Sequence, residues 1–169
     1  MGIILNEGVH KPTVNLNRLE FAVGTPYQTE VGFHPGTPER VMAPEVAATI
    51  RSALSGVVRN GTGKGLQGVF FTADGQAMLV GGKTGTGDNR YQTSARGGGP
   101  IASRAVDRTA TFVFFLGDRF FGTVTAYVAG PEADRYHFTS ALAVRVLKAL
   151  EPALRPLINA NQESATSHQ

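Results

Sequence analysis

The fold of this chain is indicated by the stretch Gly82-Lys83-Thr84-Gly85-Thr86-Gly87, which follows the strand-like apolar run Ala77-Met78-Leu79-Val80. If the strand continues into this stretch, Thr84 and Thr86 point to the same face, because strand side chains alternate with a period of two. Gly85 between them lets another backbone approach closely. A lysine charge, two hydroxyl groups and an exposed backbone N–H together favour an anion-binding site.

Two known motifs share these residues. A phosphate-binding loop requires G-x-x-x-x-G-K-[ST], but Ala77 stands at its first glycine position and the residues from Met78 to Gly81 look like strand. The other motif is the Lys-Thr-Gly box of penicillin-binding proteins and serine β-lactamases. Considered without its neighbours, the triplet also fits a glycine-rich turn with an exposed lysine.

The wider sequence resembles the C-terminal half of the transpeptidase domain of penicillin-binding proteins, especially the bifunctional type that carries a glycosyltransferase domain. The resemblance runs from about residue 17 to about residue 150. It implies a partial β-lactamase/transpeptidase-like fold, of class α+β, in which an antiparallel β-sheet has flanking helices. The segments that carry it, in order, are Val57-Val58, Gly61-Thr62-Gly63, the Lys-Thr-Gly stretch, Thr111–Gly117 and Gly122–Val128.

The nucleophile of that family is missing from the sequence. None of the seven serines is followed three residues later by lysine, so there is no Ser-x-x-Lys box, and there is no Ser-x-Asn box. Both boxes precede Lys-Thr-Gly in the family, whereas 82 residues precede Lys83 here. We therefore expect a piece of the domain that is inactive alone: an excised segment, a truncated reading frame or one half of a split protein.

The resemblance implies acyl transfer through a serine ester. The donor would be a peptidoglycan stem peptide ending in D-Ala-D-Ala, and β-lactams would act as its mimics. The implied catalytic residues are Lys83, which supports proton transfer, and Thr86, whose N–H is one oxyanion donor. The implied substrate-binding residues are Lys83, Thr84, Gly85 and Thr86, with the threonine hydroxyls on the donor carboxylate. The implied partners are this peptide, β-lactams and the remainder of the transpeptidase domain.

Three classes of function remain open from the sequence. The first is the penicillin-binding segment of a peptidoglycan D,D-transpeptidase, at the periplasmic or extracytoplasmic face of the cell membrane, with the membrane anchor outside this chain. The second is a non-catalytic remnant of the β-lactam-binding fold that binds partners or muropeptides. The third is a nucleotide-binding protein that uses Gly82-Lys83-Thr84.

The amino-acid composition argues against several kinds of binding site. The 169-residue chain has no cysteine, which excludes disulfides and thiolate metal sites. The four histidines show no metal-ligand spacing, so we expect neither a metal nor a cofactor. The net charge of +3 is mild, and the arginines after the motif are mixed with Asp88 and Asp107, so no nucleic-acid partner is expected. No apolar run is long enough to span a membrane.

The pattern along the chain predicts an irregular lead-in (1–40), a single folded domain (41–155) and a flexible tail (156–169). The resemblance implies that the folded part is the C-terminal part of a transpeptidase domain. Helices are predicted at 44–59 and 133–150, packed on one face of the sheet, with Pro152 and Pro156 ending the helical pattern. Strands are predicted at 68–72, 76–82, 108–116 and 121–128, the last two as an antiparallel hairpin, and extended pieces at 18–23 and 28–33.

The segment Asp88–Val106 has no apolar periodicity and contains three consecutive glycines. It is predicted to be a mobile loop at the mouth of the site. Its Arg90, Tyr91 and Arg96 are interpreted as surface residues, with contact to a peptide substrate as the alternative.

Overall fold

The computed structural model of the chain describes residues 1–13, 16, 18–34, 36–94 and 100–166. These residues form antiparallel sheets with flanking helices, so the predicted α+β class is confirmed. The chain divides into two compact units, Gly2–Ile50 and Arg51–Gln169. The Lys-Thr-Gly stretch belongs to the second unit.

Before residue 44, the described residues of the first unit form only short elements. Helix α1 spans Gly2–Leu5, and strand β1 (Val9–His10) pairs antiparallel with β4 (Glu39–Arg40). Strands β2 (Arg18–Phe21) and β3 (Thr29–Gly32) form an antiparallel pair, which confirms the two predicted extended pieces. Every residue of β2 and β3 is exposed, so the backbone ladder rather than burial holds this hairpin together.

The second unit is built on a three-stranded antiparallel sheet in the order β5-β6-β7. Strand β5 spans Val80–Ser94, β6 spans Pro100–Leu116 and β7 spans Phe120–Ala129. The predicted β6–β7 hairpin is confirmed, and its turn contains Gly117 with a φ of 61°, in the left-handed region that favours glycine. Strands β5 and β7 form the two edges of the sheet.

One face of the sheet carries the hydrophobic core. Phe112, Phe114 and Leu116 alternate along β6 and are buried on this face. They pack with helices α3 (Ser140–Ala149) and α4 (Glu151–Thr166). The other buried members of the cluster are Val58, Leu66, Phe70, Val80, Ala143, Val144, Leu147 and Ile158.

The opposite face of the sheet contacts residues 51–59 of helix α2, which spans Pro44–Arg59 as predicted. Phe115 is fully buried on this face, and the guanidinium carbon of Arg51 lies 5.5 Å from its ring centre. A Cβ on Gly81, which pairs with Phe115, would come within 2.9 Å of the backbone nitrogen of Ser55. The predicted packing of both helices on one face is therefore wrong, because β6 buries aromatic rings on both faces and each face needs its own cover.

The predicted mobile loop at Asp88–Val106 is mostly strand. Strands β5 and β6 stay paired through this segment, with two irregularities in register. Arg108 donates to Asp88 at 2.9 Å, and Asn89 donates to Asp107 at 2.7 Å. Polar cross-strand pairs stabilise this outer part of the β5–β6 hairpin. The segment therefore has no alternation of apolar residues, which is the pattern from which strands are predicted. The three glycines of this segment, with Arg96, lie outside the described residues.

Helix α3 begins seven residues later than predicted, at Ser140 rather than 133. Thr139 is its N-cap, since the Thr139 Oγ1 accepts a hydrogen bond from the Ala141 N–H at 3.3 Å. The residues at Gly130–Asp134 form a separate 3-10 helix. Of the strands predicted at 68–72 and 76–82, the structure has residues 80–82, which begin β5, and an isolated bridge between Phe71 and Ala77.

Helix α4 continues through the two prolines that were predicted to end the helical pattern. Pro152 lies in the first turn, where its missing N–H would have no intrahelical partner, and Pro156 removes a single bond. The buried Glu151 accepts two hydrogen bonds from Arg155, and these bonds raise the pKa of Arg155 above its ordinary value. None of the described helices is long and apolar enough to cross a membrane.

Candidate functional site

The predicted site residues lie in the first half of the edge strand β5. Thr84 pairs with Phe112 and Thr86 pairs with Ala110, so both threonines lie on the face that carries the core, as strand alternation predicts. Lys83, immediately before Thr84, starts on the opposite face. The strand thus brings the two hydroxyl groups together and sets the lysine stem apart from them.

The Lys83 side chain is exposed and curls around the edge of the sheet. Its Nζ donates a hydrogen bond to the backbone carbonyl of Thr84 at 2.6 Å. Since β5 is an edge strand, we infer that this carbonyl is directed away from β6. The ammonium group therefore lies at the strand edge beside the threonine backbone.

A third threonine joins the site from the loop that follows α2. The Oγ1 of Thr62 lies 2.7 Å from the Oγ1 of Thr84. The loop is held by two backbone bonds, because the N–H groups of Gly61 and Gly63 both donate to the carbonyl of Val57, at 3.1 and 3.0 Å. The sequence pattern Gly61-Thr62-Gly63 contributed to the family resemblance but predicted no role for Thr62 in the site.

Thr86 is linked to the first residue of α3. Its Oγ1 accepts a hydrogen bond from the Ser140 N–H at 2.9 Å. The first N–H groups of a helix have no intrahelical partner, so this hydroxyl satisfies one of them. The Thr86 O–H proton remains able to donate to a ligand. The positive end of the α3 dipole also lies beside the motif, which favours an anion there.

Comparison with known proteins gives matches among solved structures alone: no family model and no curated protein matches the chain. The D,D-transpeptidase domain of a peptidoglycan glycosyltransferase from Eggerthella lenta matches with a TM-score of 0.53 and 20% identity, covering 90% of this chain and 29% of that one. The chain has the fold of part of a D,D-transpeptidase domain. The resemblance predicted from the sequence is thus confirmed at the level of the fold.

Two further structures match this transpeptidase-fold segment. Penicillin binding protein 3 from Mycobacterium tuberculosis, in complex with aztreonam, matches with a TM-score of 0.48 and 19% identity, covering 87% of this chain and 32% of that one. A putative peptidoglycan glycosyltransferase from Atopobium parvulum matches with a TM-score of 0.47 and 18% identity, covering 90% of this chain and 31% of that one. The segment spans about a third of the length of each of these solved chains.

A cavity of about 310 Å³ in the transpeptidase-fold segment lies away from the Lys-Thr-Gly stretch. It opens beside the start of β5, where Met78, Leu79 and Phe120 line it together with the ion pair of Arg51 and Asp118. Lys83, Thr62, Thr84 and Thr86 do not line this cavity. The candidate site lies on the edge strand β5, outside this cavity.

The other polar residues predicted near the mouth of the site have different environments. Arg90 lies 3.7 Å from Asp88 on β5 and 3.8 Å from Asp134 in the 3-10 helix after β7, so its charge is engaged in ion pairs. Tyr91 is 63% exposed and stays available to a ligand. Among the described His, Asp and Glu residues, no group of three is arranged to hold a metal ion.

Proposed function

We propose that this chain is the penicillin-binding segment of a peptidoglycan D,D-transpeptidase, and that its Lys-Thr-Gly strand binds the donor carboxylate and the oxyanion. The observation that carries the proposal is the pair of threonine hydroxyls, Thr84 and Thr86, on one face of an edge strand beside the Lys83 ammonium. Because the sequence has no Ser-x-x-Lys box, the serine nucleophile is assigned to polypeptide outside this chain.

The hydroxyl pair suits a carboxylate. Alternate strand residues are about 6–7 Å apart along the chain, so hydroxyls on Thr84 and Thr86 can approach a carboxylate from two sides. Each hydroxyl can donate its own proton while it accepts a bond from elsewhere, as Thr86 does from Ser140. Lys83 adds a positive charge at the strand edge, which strengthens binding of an anionic donor terminus.

The backbone of Thr86 supplies an oxyanion donor. Backbone groups of residues two apart point to the same edge of an antiparallel strand. The carbonyl of Thr84 accepts from Lys83 at the outer edge of β5, so the N–H of Thr86 is directed to that edge as well. A fixed N–H at the position where negative charge develops stabilises a tetrahedral intermediate.

The proposed reaction is an acyl transfer in two steps. The serine oxygen attacks the penultimate carbonyl of the stem peptide and gives its proton to a base, and collapse of the oxyanion breaks the peptide bond. The terminal D-alanine leaves with its amine protonated. An amine of a neighbouring stem peptide then attacks the ester, takes the acyl group and releases the serine. This chemistry builds cell wall, which places the protein at the periplasmic or extracytoplasmic face of the membrane.

Titration of the ¹⁵N-labelled chain with ampicillin tests the binding part of the proposal. We expect saturable shifts of the Lys83, Thr84, Gly85 and Thr86 amides, with a Kd of about 1 mM, which corresponds to about −4 kcal/mol. The shifts should disappear with the methyl ester of ampicillin, since the ester lacks the carboxylate. Thr84→Val should weaken binding, whereas Thr125→Val, on the other face of the sheet, should not.

Shifts that are equal for ampicillin and its ester, or that appear away from β5, would contradict the carboxylate site. The same titration with ATP addresses the nucleotide alternative. A phosphate-binding loop lies between a strand and a helix, but Gly82-Lys83-Thr84 lies inside the 15-residue strand β5. We therefore expect no ATP-dependent shift at these residues.

The isolated chain should not become covalently labelled by a fluorescent penicillin. The reason is that none of its serines has a lysine three residues later to act as the base. The assay is a labelled band that survives boiling in detergent, with an active penicillin-binding protein as the positive control. A band that is lost when one serine of this chain is replaced would place the nucleophile within the chain, and would refute this part of the proposal.

A further inference from the structure

The loop Gly61–Gly63 holds Thr62 in one position relative to β5. The carbonyl of Val57, in the last turns of α2, accepts from the N–H groups of both Gly61 and Gly63. A Cβ on Gly61 would lie 2.9 Å from that carbonyl oxygen, so the tight path of the loop depends on glycine there. Thr62 is therefore presented to β5 by the end of a helix rather than by a freely moving loop.

Thr62 and Thr84 are joined by a hydrogen bond between their hydroxyl groups. Their Oγ1 atoms are 2.7 Å apart, which is the usual length of an O–H···O bond. Thr62 is exposed and Thr84 is partly exposed, so water could satisfy either hydroxyl and burial does not require the bond. The comparable pair on the opposite face of the sheet, Thr111 and Thr125, is looser at 3.3 Å.

The direction of this bond determines what Thr84 can do. A hydroxyl has one proton and two lone pairs. When Thr62 donates to Thr84, the Thr84 proton is left to point at an anion. A bound carboxylate favours donation from Thr62 to Thr84, because the Thr62 and Thr84 hydroxyls then both donate toward the negative charge.

We propose that Thr62 is a positioning residue that orients the Thr84 hydroxyl toward the carboxylate of the ligand. This inference rests on the proposed function of the Lys-Thr-Gly strand, and it extends the site to a residue 22 positions earlier in the chain. Thr62 acts through Thr84, so its effect on binding depends on the Thr84 hydroxyl being present.

The test is a titration of ¹⁵N-labelled variants of the full chain with ampicillin. We expect Thr62→Val to weaken binding about five-fold, the loss of one ordinary hydrogen bond. Thr62→Ser, which keeps the hydroxyl, should restore binding to within about two-fold of the unmodified chain. The double variant Thr62→Val/Thr84→Val should bind no more weakly than Thr84→Val. Thr111→Val is the matched control and should bind like the unmodified chain.

The outcomes separate this inference from the proposed function. If Thr84→Val weakens binding and Thr62→Val does not, the role of Thr62 is overturned while the carboxylate site stands. If Thr62→Val weakens binding equally in the unmodified chain and in the Thr84→Val variant, Thr62 does not act through the Thr84 hydroxyl. The inference is then also overturned. If the unmodified chain gives no carboxylate-dependent shifts, the proposed site fails and the role of Thr62 fails with it. Thermal unfolding of every variant identifies any loss that comes from misfolding, and Thr62→Ser then decides the result.

Discussion

Replacing Gly82 with alanine is expected to destabilise the second unit by about 3 kcal/mol, a typical cost of overpacking a core. A Cβ at this position would lie 2.4 Å from the carbonyl oxygen of Val113 and 2.7 Å from the Cζ of Phe112. The first of these is backbone of the paired strand, so it cannot move without loss of the β5–β6 ladder. The second is a fully buried ring that is packed in the core.

Gly85→Ala is the matched control, because it lies three residues along the same strand and a Cβ there meets nothing within 4 Å. We expect its effect to stay within about 0.5 kcal/mol. The chain has no tryptophan, so urea unfolding is followed by far-UV circular dichroism. Equal unfolding midpoints for the two alanine variants would mean that Val113 and Phe112 leave room for a Cβ at position 82.

Lys83→Ala is expected to slow acylation by a labelled penicillin at least about 100-fold, comparable to the loss of a fixed electrostatic group at a transition state. This measurement requires the chain assembled with polypeptide that carries the serine nucleophile, as the proposed function specifies. The side chain is exposed, so stability should change by no more than about 0.5 kcal/mol. In the proposed site the ammonium lies at the edge where the Thr86 N–H is directed, so its removal is expected to destabilise the anionic intermediate.

Lys148→Ala is the control for a general effect of charge, since Lys148 is also exposed and lies in the last turn of α3, about 12 Å along the helix from Ser140. It should leave the rate of acylation within about two-fold, because exposed charges at a distance are screened by salt. Near-normal acylation of the Lys83→Ala protein, with an unchanged melting temperature, would remove Lys83 from the site.

Local patterns in the sequence were enough to predict much of the second unit. The apolar stripe from Pro44 to Arg59 predicted α2 to the residue, and the two apolar runs on either side of Asp118-Arg119 predicted the β6–β7 hairpin. The period of two placed Thr84 and Thr86 on one face. These features depend on residues close in sequence, where periodicity and turn chemistry act directly.

The error in helix packing originates in contacts between distant residues, whereas the error at the start of α3 is local. The apolar run Phe112–Leu116 gave no sign that Phe115 is buried against α2 while its neighbours face α3, since a continuous run fits burial on both faces or on one. The start of α3 was missed although Thr139-Ser140 is a standard capping pair. That signal was present and outweighed by the apolar residues before it.

The motif named Lys83, Thr84 and Thr86 as candidate site residues, and this assignment stays a prediction. The sequence did not indicate the hydrogen-bond partners of the two threonine hydroxyls, which lie far away along the chain. Thr62 is 22 residues from Thr84, and Ser140 is 54 residues from Thr86. A single sequence specifies which groups can donate or accept, but the choice between partners is made when the helices dock on the sheet.

Strand β7 has a consequence for handling the protein in solution. It is a ten-residue edge strand without a charged residue or a proline, and Phe121 and Tyr127 stand exposed on one face of it. Natural edge strands usually carry lysine, proline or a bulge that blocks strand addition between molecules. Concentrated samples of this chain should therefore form intermolecular β-sheet and precipitate, so that dilute buffers and a co-expressed strand-providing partner become the practical route to material for spectroscopy.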